Sequence, residues 1–258
     1  MRLMAWDDGR VVETKDFRLP HPYVMQRVHT LDYRAYNVSR HLMLLRDASI
    51  ELFGFATLCS VEDAERIIAK LLELSRVSHR LSTPVAMRHD AMGHLSFEVE
   101  QPTFYEGYSL RAKRLSLAML TMPSPEYVSQ TSVSVAVDAM ADSRVAGSAD
   151  AALWVDDRGN VISRPWLPLF AVYGGRVYTP MEYDTVEFVV TRDAIRRLGM
   201  ELIAHPMTVA SLKRMDEVFK VDAMGITSVA AIEEHRLLSM ITARIADNIK
   251  EKKKKSGA

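Results

Sequence analysis

The sequence predicts an α+β protein of two domains, and three observations carry that expectation. Hairpin-like strand pairs recur, most densely over residues 151–180, AALWVDDRGNVISRPWLPLFAVYGGRVYTP. Helical stripes of apolar residues stand between them, as in Ala64, Ile67, Ile68, Leu71 and Leu72. Met122-Pro123-Ser124-Pro125 then interrupts the chain, because each proline disfavours helix at the residue before it and keeps the segment extended. The expected division is a domain over 1–121, a linker over 122–130 and a second domain over 131–258.

Taken in order, Arg2 to Thr14 reads as a hairpin turning at Asp7-Asp8-Gly9-Arg10. Tyr23 to Thr30 is compatible with a strand. Asn37-Val38-Ser39 offers a cap to a helix carrying His41, Leu42, Leu45, Ala48, Ser49 and Leu52, which Gly54 ends. Ser60 caps a second helix with Glu62 and Asp63 in its first turn, where carboxylates complement the helix dipole. Val85–Arg88 and Leu95–Val99 flank the turn Asp90-Ala91-Met92-Gly93, and Leu110–Thr121 reads as a further strand.

Beyond the linker, Ser129–Gly147 begins β-like, with Val133, Val135 and Val137 alternating, and then becomes helix-like. A short helix from about Val135 is expected. Residues 151–180 follow as three strands, turning at Asp156-Asp157-Arg158-Gly159 and at Gly174-Gly175, since glycine tolerates the positive φ of tight turns. Between them Arg164-Pro165-Trp166-Leu167-Pro168 interrupts any ladder by removing two backbone donors. The expected remainder is a helix over Thr185–Leu198, a strand over Met200–His205 and a short helix capped by Thr208. Strands over Glu217–Val221 and Ile226–Ile232 and a helix over Glu234–Lys250 complete it. The closing run of lysines reads as a solvated terminus.

Composition narrows the function. Lys plus Arg and Asp plus Glu number 33 each, so no net charge draws the chain to nucleic acid or an anionic membrane. No apolar run of membrane-spanning length and no signal-peptide pattern is visible. Cys59 is the single cysteine, which rules out an intrachain disulfide, suits the cytoplasm and reads as an inert buried thiol.

Several segments, in a common order, resemble the class IV aminotransferase family, which includes branched-chain and D-amino-acid aminotransferases and aminodeoxychorismate lyase. They are Tyr23–His29, Arg40–Ser49, Ala149–Val161, Leu169–Val172, Gly175–Pro180, Val190–Arg192, Met215–Phe219 and Gly225–Val229. The resemblance implies a fold-type-IV architecture, with a smaller N-terminal α/β domain and a C-terminal pseudo-barrel domain. It also implies pyridoxal phosphate (PLP) in the cleft between the domains, an amino-acid or keto-acid substrate and a homodimer.

The residues that would carry the chemistry depart from the family. Its Schiff-base lysine falls in the register of Ser129-Gln130, and no lysine lies between Lys113 and Lys213. A hydroxyl or an amide cannot form the imine. The glutamate that faces the pyridine nitrogen is replaced by Ser163, beside Arg164, and the phosphate arginine by Leu44. The loop after Phe219 is shortened to Lys220–Met224, with Asp222 in it. Tyr23, matching a cleft tyrosine, and Val190-Thr191, expected at a helix start able to hold phosphate, survive as candidate cofactor contacts. Lys220, and after it Lys113, are the amines that could substitute.

Two readings therefore stand. In the first the chain has lost Schiff-base PLP catalysis, needs no cofactor, and binds a small acid or a partner in the cleft. In the second it is a divergent PLP-dependent aminotransferase or lyase with relocated contacts.

Overall fold

The computed structural model describes residues 2–19, 21–56 and 59–255. In chain order they form β1 (Met4–Asp7), β2 (Arg10–Glu13), β3 (Tyr23–Leu31), β4 (Arg34–Ala35), α1 (Val38–Phe53), α2 (Val61–Leu74), β5 (Thr83–Asp90) and β6 (Leu95–Val99). There follow β7 (Ser109–Leu110), β8 (Leu115–Thr121), β9 (Gln130–Thr131), α3 (Ser132–Val145), β10 (Ala151–Val155), β11 (Leu169–Tyr173) and β12 (Arg176–Thr179). The chain ends with α4 (Val186–Arg197), β13 (Leu202–Ala204), α5 (Val209–Leu212), β14 (Glu217–Asp222), β15 (Gly225–Ile232), β16 (His235–Arg236) and α6 (Met240–Lys255). Part of the basic tail, 256–258, lies outside the described residues.

Two compact units divide the chain, one of residues 1–107 with 127–135, the other of residues 108–126 with 136–258. This division differs from the boundary expected at 122–130. Strands β7 and β8, which precede the Pro-rich segment, pair with β15 and so belong to the second sheet. Strand β9, which follows that segment, pairs with β3 of the first sheet. The proline pair marks an extended crossing of the chain, and strand pairing decides the membership.

In the first unit the sheet order is β2-β1-β6-β5-β3-β4, with β9 also on β3. All its pairs are antiparallel. Helices α1 and α2 cover one face, where Leu45, Ala48, Ile68, Leu71 and Leu72 pack against Val24, Val28, Val85, Met87 and Phe97. Ser60 caps α2 as expected, its hydroxyl accepting from the Asp63 amide. Asn37 does not cap α1 through its side chain; it stands in the left-handed region at φ 57°.

In the second unit nine strands make a mixed sheet, ordered β10-β8-β15-β14-β11-β12-β13, with β16 and β7 on β15. Its two faces have separate cores. Leu153, Leu169, Val218 and Val229 form one, while Phe170, Phe219 and Ile226 meet Phe188 and Ile195 of α4 and Ile245 of α6 in the other. The Gly225 position is forced: its φ is +147°, and a Cβ there would stand 2.2 Å from the Ser109 carbonyl oxygen. Helix α3 starts at Ser132, three residues ahead of expectation. The last helix begins at Met240 and not at Glu234, because His235–Arg236 pairs with β15 first. The buried Glu217 carboxylate then accepts the Ile241 and Thr242 amides and the Thr242 hydroxyl, which satisfies the start of α6.

Candidate functional site

The first unit brings together two of the positions singled out in the sequence, Leu44 and Ser129. Ser129 immediately precedes β9, and Leu44 lies in the second turn of α1. The Ser129 hydroxyl donates to the Leu44 carbonyl at 3.1 Å. The same oxygen accepts from Gln26 Nε2 at 2.7 Å. Gln26 Oε1 in turn lies 3.0 Å from His41 Nδ1. An amide oxygen only accepts, so His41 carries its proton on Nδ1, and every bond in the chain runs in one direction.

All four residues are buried; Ser129 and His41 are each 1% exposed. Burial, with Arg40 as a lesser cause, lowers the His41 pKa to about 3, so its imidazole is neutral at physiological pH. Sequence reasoning missed Gln26 and missed His41 as a partner, since both act across distant segments. At the positions that the resemblance assigns to the family's lysine and phosphate arginine there is thus a neutral, internally satisfied hydrogen-bond chain. It offers neither an amine nor a cation, and it does not fit covalently held PLP.

Tyr23 packs in the same unit against Met25, Ala86 and Val135. Its ring lies 5.6 Å from the Arg88 guanidinium, and it is 4% exposed.

In the second unit the positions near Ser163 form a different arrangement. Ser163 Oγ accepts from the Leu169 amide at 3.0 Å and so closes the Pro-containing loop on itself. Arg164 donates to Asp138 of α3 at 2.5 Å and stacks 4.6 Å from the centre of the Trp154 ring. Trp166 Nε1 donates to the other Asp138 oxygen at 2.8 Å.

Lys220, on β14, is 4% exposed and donates to the Ala152 carbonyl at 3.2 Å. Burial first, and Arg164 second, lower its pKa to about 7, against the opposite pull of Asp142 and Asp138. Lys220 is therefore a buried amine that loses its proton near neutrality. Lys113, the other candidate amine, is a solvent-facing partner of Asp150 at 2.6 Å.

Val190 and Thr191 lie in the second turn of α4, which begins at Val186. The Thr191 hydroxyl, fully buried, donates to the Glu187 carbonyl at 2.8 Å. The expected helix-start position is thus corrected: these amides lie beyond the first turn, where they bond within the helix. Asp222 is held by Arg111 at 2.6 Å and accepts the Met224 amide at 2.8 Å, so its charge is spent on the β14–β15 turn. Among the described residues no three His, Cys, Asp or Glu side chains cluster as metal ligands, and no helix is long and apolar enough to cross a membrane.

The two-unit arrangement of an antiparallel sheet with α1 and α2, followed by a nine-stranded mixed sheet, is the fold-type-IV aminotransferase scaffold. By sequence the chain belongs to the Amino-transferase class IV family, which it matches over residues 24–232. A Methanocaldococcus jannaschii chain assigned as a branched-chain-amino-acid aminotransferase is 30% identical over 108 residues, covering 40% of this chain and 38% of that relative.

Among solved structures, the branched-chain aminotransferase of Thermoproteus uzoniensis with norvaline superposes at a TM-score of 0.79. It has 18% identity, over 97% of this chain and 94% of that one. An aminotransferase from Brucella abortus bound to PLP gives a TM-score of 0.79 at 16% identity, over 98% and 99% of the two chains. At these identities the likeness establishes the fold.

Proposed function

We propose that this chain is a class IV aminotransferase-fold protein that no longer performs Schiff-base PLP catalysis, and that it binds a small amino or keto acid without covalent capture. The observation that carries the reading is the buried chain from His41 through Gln26 and Ser129 to the Leu44 carbonyl. Placing a lysine at 129 would strand an ammonium among groups already bonded to one another, and a buried unpaired charge is costly. The choice of ligand class rests on the relatives, whose names specify branched-chain amino-acid aminotransferases.

One observation favours a second reading, a divergent PLP enzyme. Lys220 is an amine with a pKa near 7, the state a Schiff-base lysine needs in order to attack a carbonyl.

The experiment treats the full chain with excess PLP, records the visible absorbance of an imine, then adds borohydride and maps any reduced adduct. The expected result is no imine band and no adduct, together with measurable calorimetric binding of a branched 2-keto acid. A stoichiometric adduct on Lys220 would replace the first reading by the second. A stoichiometric adduct on any other lysine would overturn both assignments of the amine.

A further inference from the structure

A second site lies in the first unit, where the N-terminal hairpin meets α2. Trp6 of β1 and Val11 of β2 are cross-strand partners, so their side chains share one face of the hairpin. Ile67 and Leu71 present the facing stripe of α2, at the i, i+4 spacing that aligns side chains on one side of a helix. With Gly9 of the hairpin turn they bound a cleft of about 320 Å³.

The floor is apolar and held in place. The Trp6 ring stands edge-on to Phe97, with ring centres 5.6 Å apart, so one side of the indole is fixed by the core. The rim is cationic. Arg66 and Lys70 line the cleft one helical turn apart, and no carboxylate lines it; Asp7 and Asp8 of the hairpin turn are outside the lining. Arg66 has an exposed partner in Asp63 at 2.5 Å, on the same helix. Exposed pairs of this kind are weak and exchange readily for a better anion. Lys70 makes no ion pair among the described residues. Two neighbouring cations on one face of a helix repel each other, and an anion between them relieves that repulsion.

We infer that this cleft binds a compact apolar carboxylate, with an aryl or branched alkyl body against Trp6, Val11 and Ile67 and its carboxylate between Lys70 and Arg66. Size supports this class. A cavity of roughly 150 Å³ holds a benzene ring, so twice that volume accommodates a ring with a short acid tail. None of the residues discussed above at the family's cofactor positions takes part, so the site stands apart from the proposed function.

The test uses the full-length ¹⁵N-labelled protein and follows the Trp6 indole Nε1–H resonance, assigned with a Trp6→Phe variant. The probes are 4-phenylbutyrate and the isosteric 4-phenylbutanol. The expected result is a saturable shift of the Trp6 resonance by the acid, with the alcohol weaker by about fivefold, the size of one screened surface charge contact. Lys70→Gln should weaken the acid about threefold and leave the alcohol unchanged. Both cations are exposed, so the variant tests binding and not folding. Absence of a saturable shift up to about 10 mM acid, the range of the weakest specific complexes, overturns the site. Equal binding of acid and alcohol, insensitive to Lys70→Gln, overturns the assigned ligand class.

Discussion

The two regions to which the family resemblance points, around Ser129 and around Arg164, are held together by opposite physical means. In the first unit the bonded side chains of His41, Gln26 and Ser129 are neutral, and each named donor finds an acceptor within 3.1 Å. In the second unit, around Arg164, the groups are charged, and Lys220 is left with a lowered pKa and a carbonyl at 3.2 Å. A satisfied neutral network adds rigidity at little electrostatic cost, whereas a buried charge cluster depends on every partner. The first region should thus tolerate change modestly, and the second should respond strongly and in both directions.

The largest effect is expected at Asp138. It accepts from both Arg164 and Trp166 Nε1, so Asp138→Ala leaves a nearly buried guanidinium without its counter-charge. Removing one partner of a buried pair costs about 3–5 kcal/mol, and urea unfolding at pH 7 should show a loss of that order. A loss below about 1 kcal/mol would mean that water reaches Arg164 and that the cluster is not electrostatically critical.

Lys220 should move stability the other way. In the folded chain its pKa is near 7, whereas in the unfolded chain it is that of an ordinary lysine, 10.5. Between those values the unfolded state binds more protons, so the stability of the parent chain rises with pH across this window. Below pH 7 the amine is charged in both states and the full desolvation cost is present. Lys220→Met should therefore stabilise the protein at pH 6 by about 2–4 kcal/mol, since a hydrophobic residue often outperforms a buried ion. That advantage should shrink steadily towards pH 10, as followed by thermal unfolding across the range. A pH-independent gain would show that the amine is hydrated in the folded state and that the Arg164 region carries no buried-charge cost.

The same contrast explains what could be read in the sequence. Local signals gave reliable elements: the Asp7-Asp8-Gly9 turn produced the β1–β2 hairpin, and Ser60 capped α2 through the Asp63 amide. The start of α3 was also written locally, in the reciprocal bonds between Thr131 and Ser134, but the alternating Val133, Val135 and Val137 masked it. The start of α6 was not legible, because its cap is Glu217, which is 24 residues upstream of Ile241. The division into compact units departs from the expected boundary for a related reason: the pairing of β8 with β15 and of β9 with β3 is long-range, whereas proline is a local signal.

At the candidate site the sequence shows Ser129 and Leu44 where the resemblance leads one to expect a lysine and an arginine. Their partners were not visible. Gln26 and Ser129 are 103 residues apart, and Asp138 and Arg164 are 26 apart. The sequence states which chemical groups are present, and the long-range fold decides which of them meet.

The smallest effect, and the sharpest test of the neutral region, concerns His41. Its folded pKa of about 3 lies below the ordinary value of 6.5, so the folded chain holds a neutral imidazole that the unfolded chain protonates as pH falls. Stability from this group is fully present above pH 6.5 and is lost between there and pH 3. His41→Leu removes the titration together with the bond to Gln26. At pH 7 the variant should be less stable by about 1–2 kcal/mol, the value of a buried hydrogen bond whose acceptor is left alone. At pH 5 the parent chain has itself lost about 2 kcal/mol through the unfolded-state proton, so the two stabilities should converge. Urea unfolding at the two pH values measures the gap directly. A gap that stays constant between pH 7 and pH 5 would mean that His41 takes up its proton alike in the folded and unfolded chains, so that the folded imidazole is a cation at pH 5. Its Nδ1 bond to Gln26 would then belong to a cation, and the Ser129 region would be a charged site like its counterpart around Arg164.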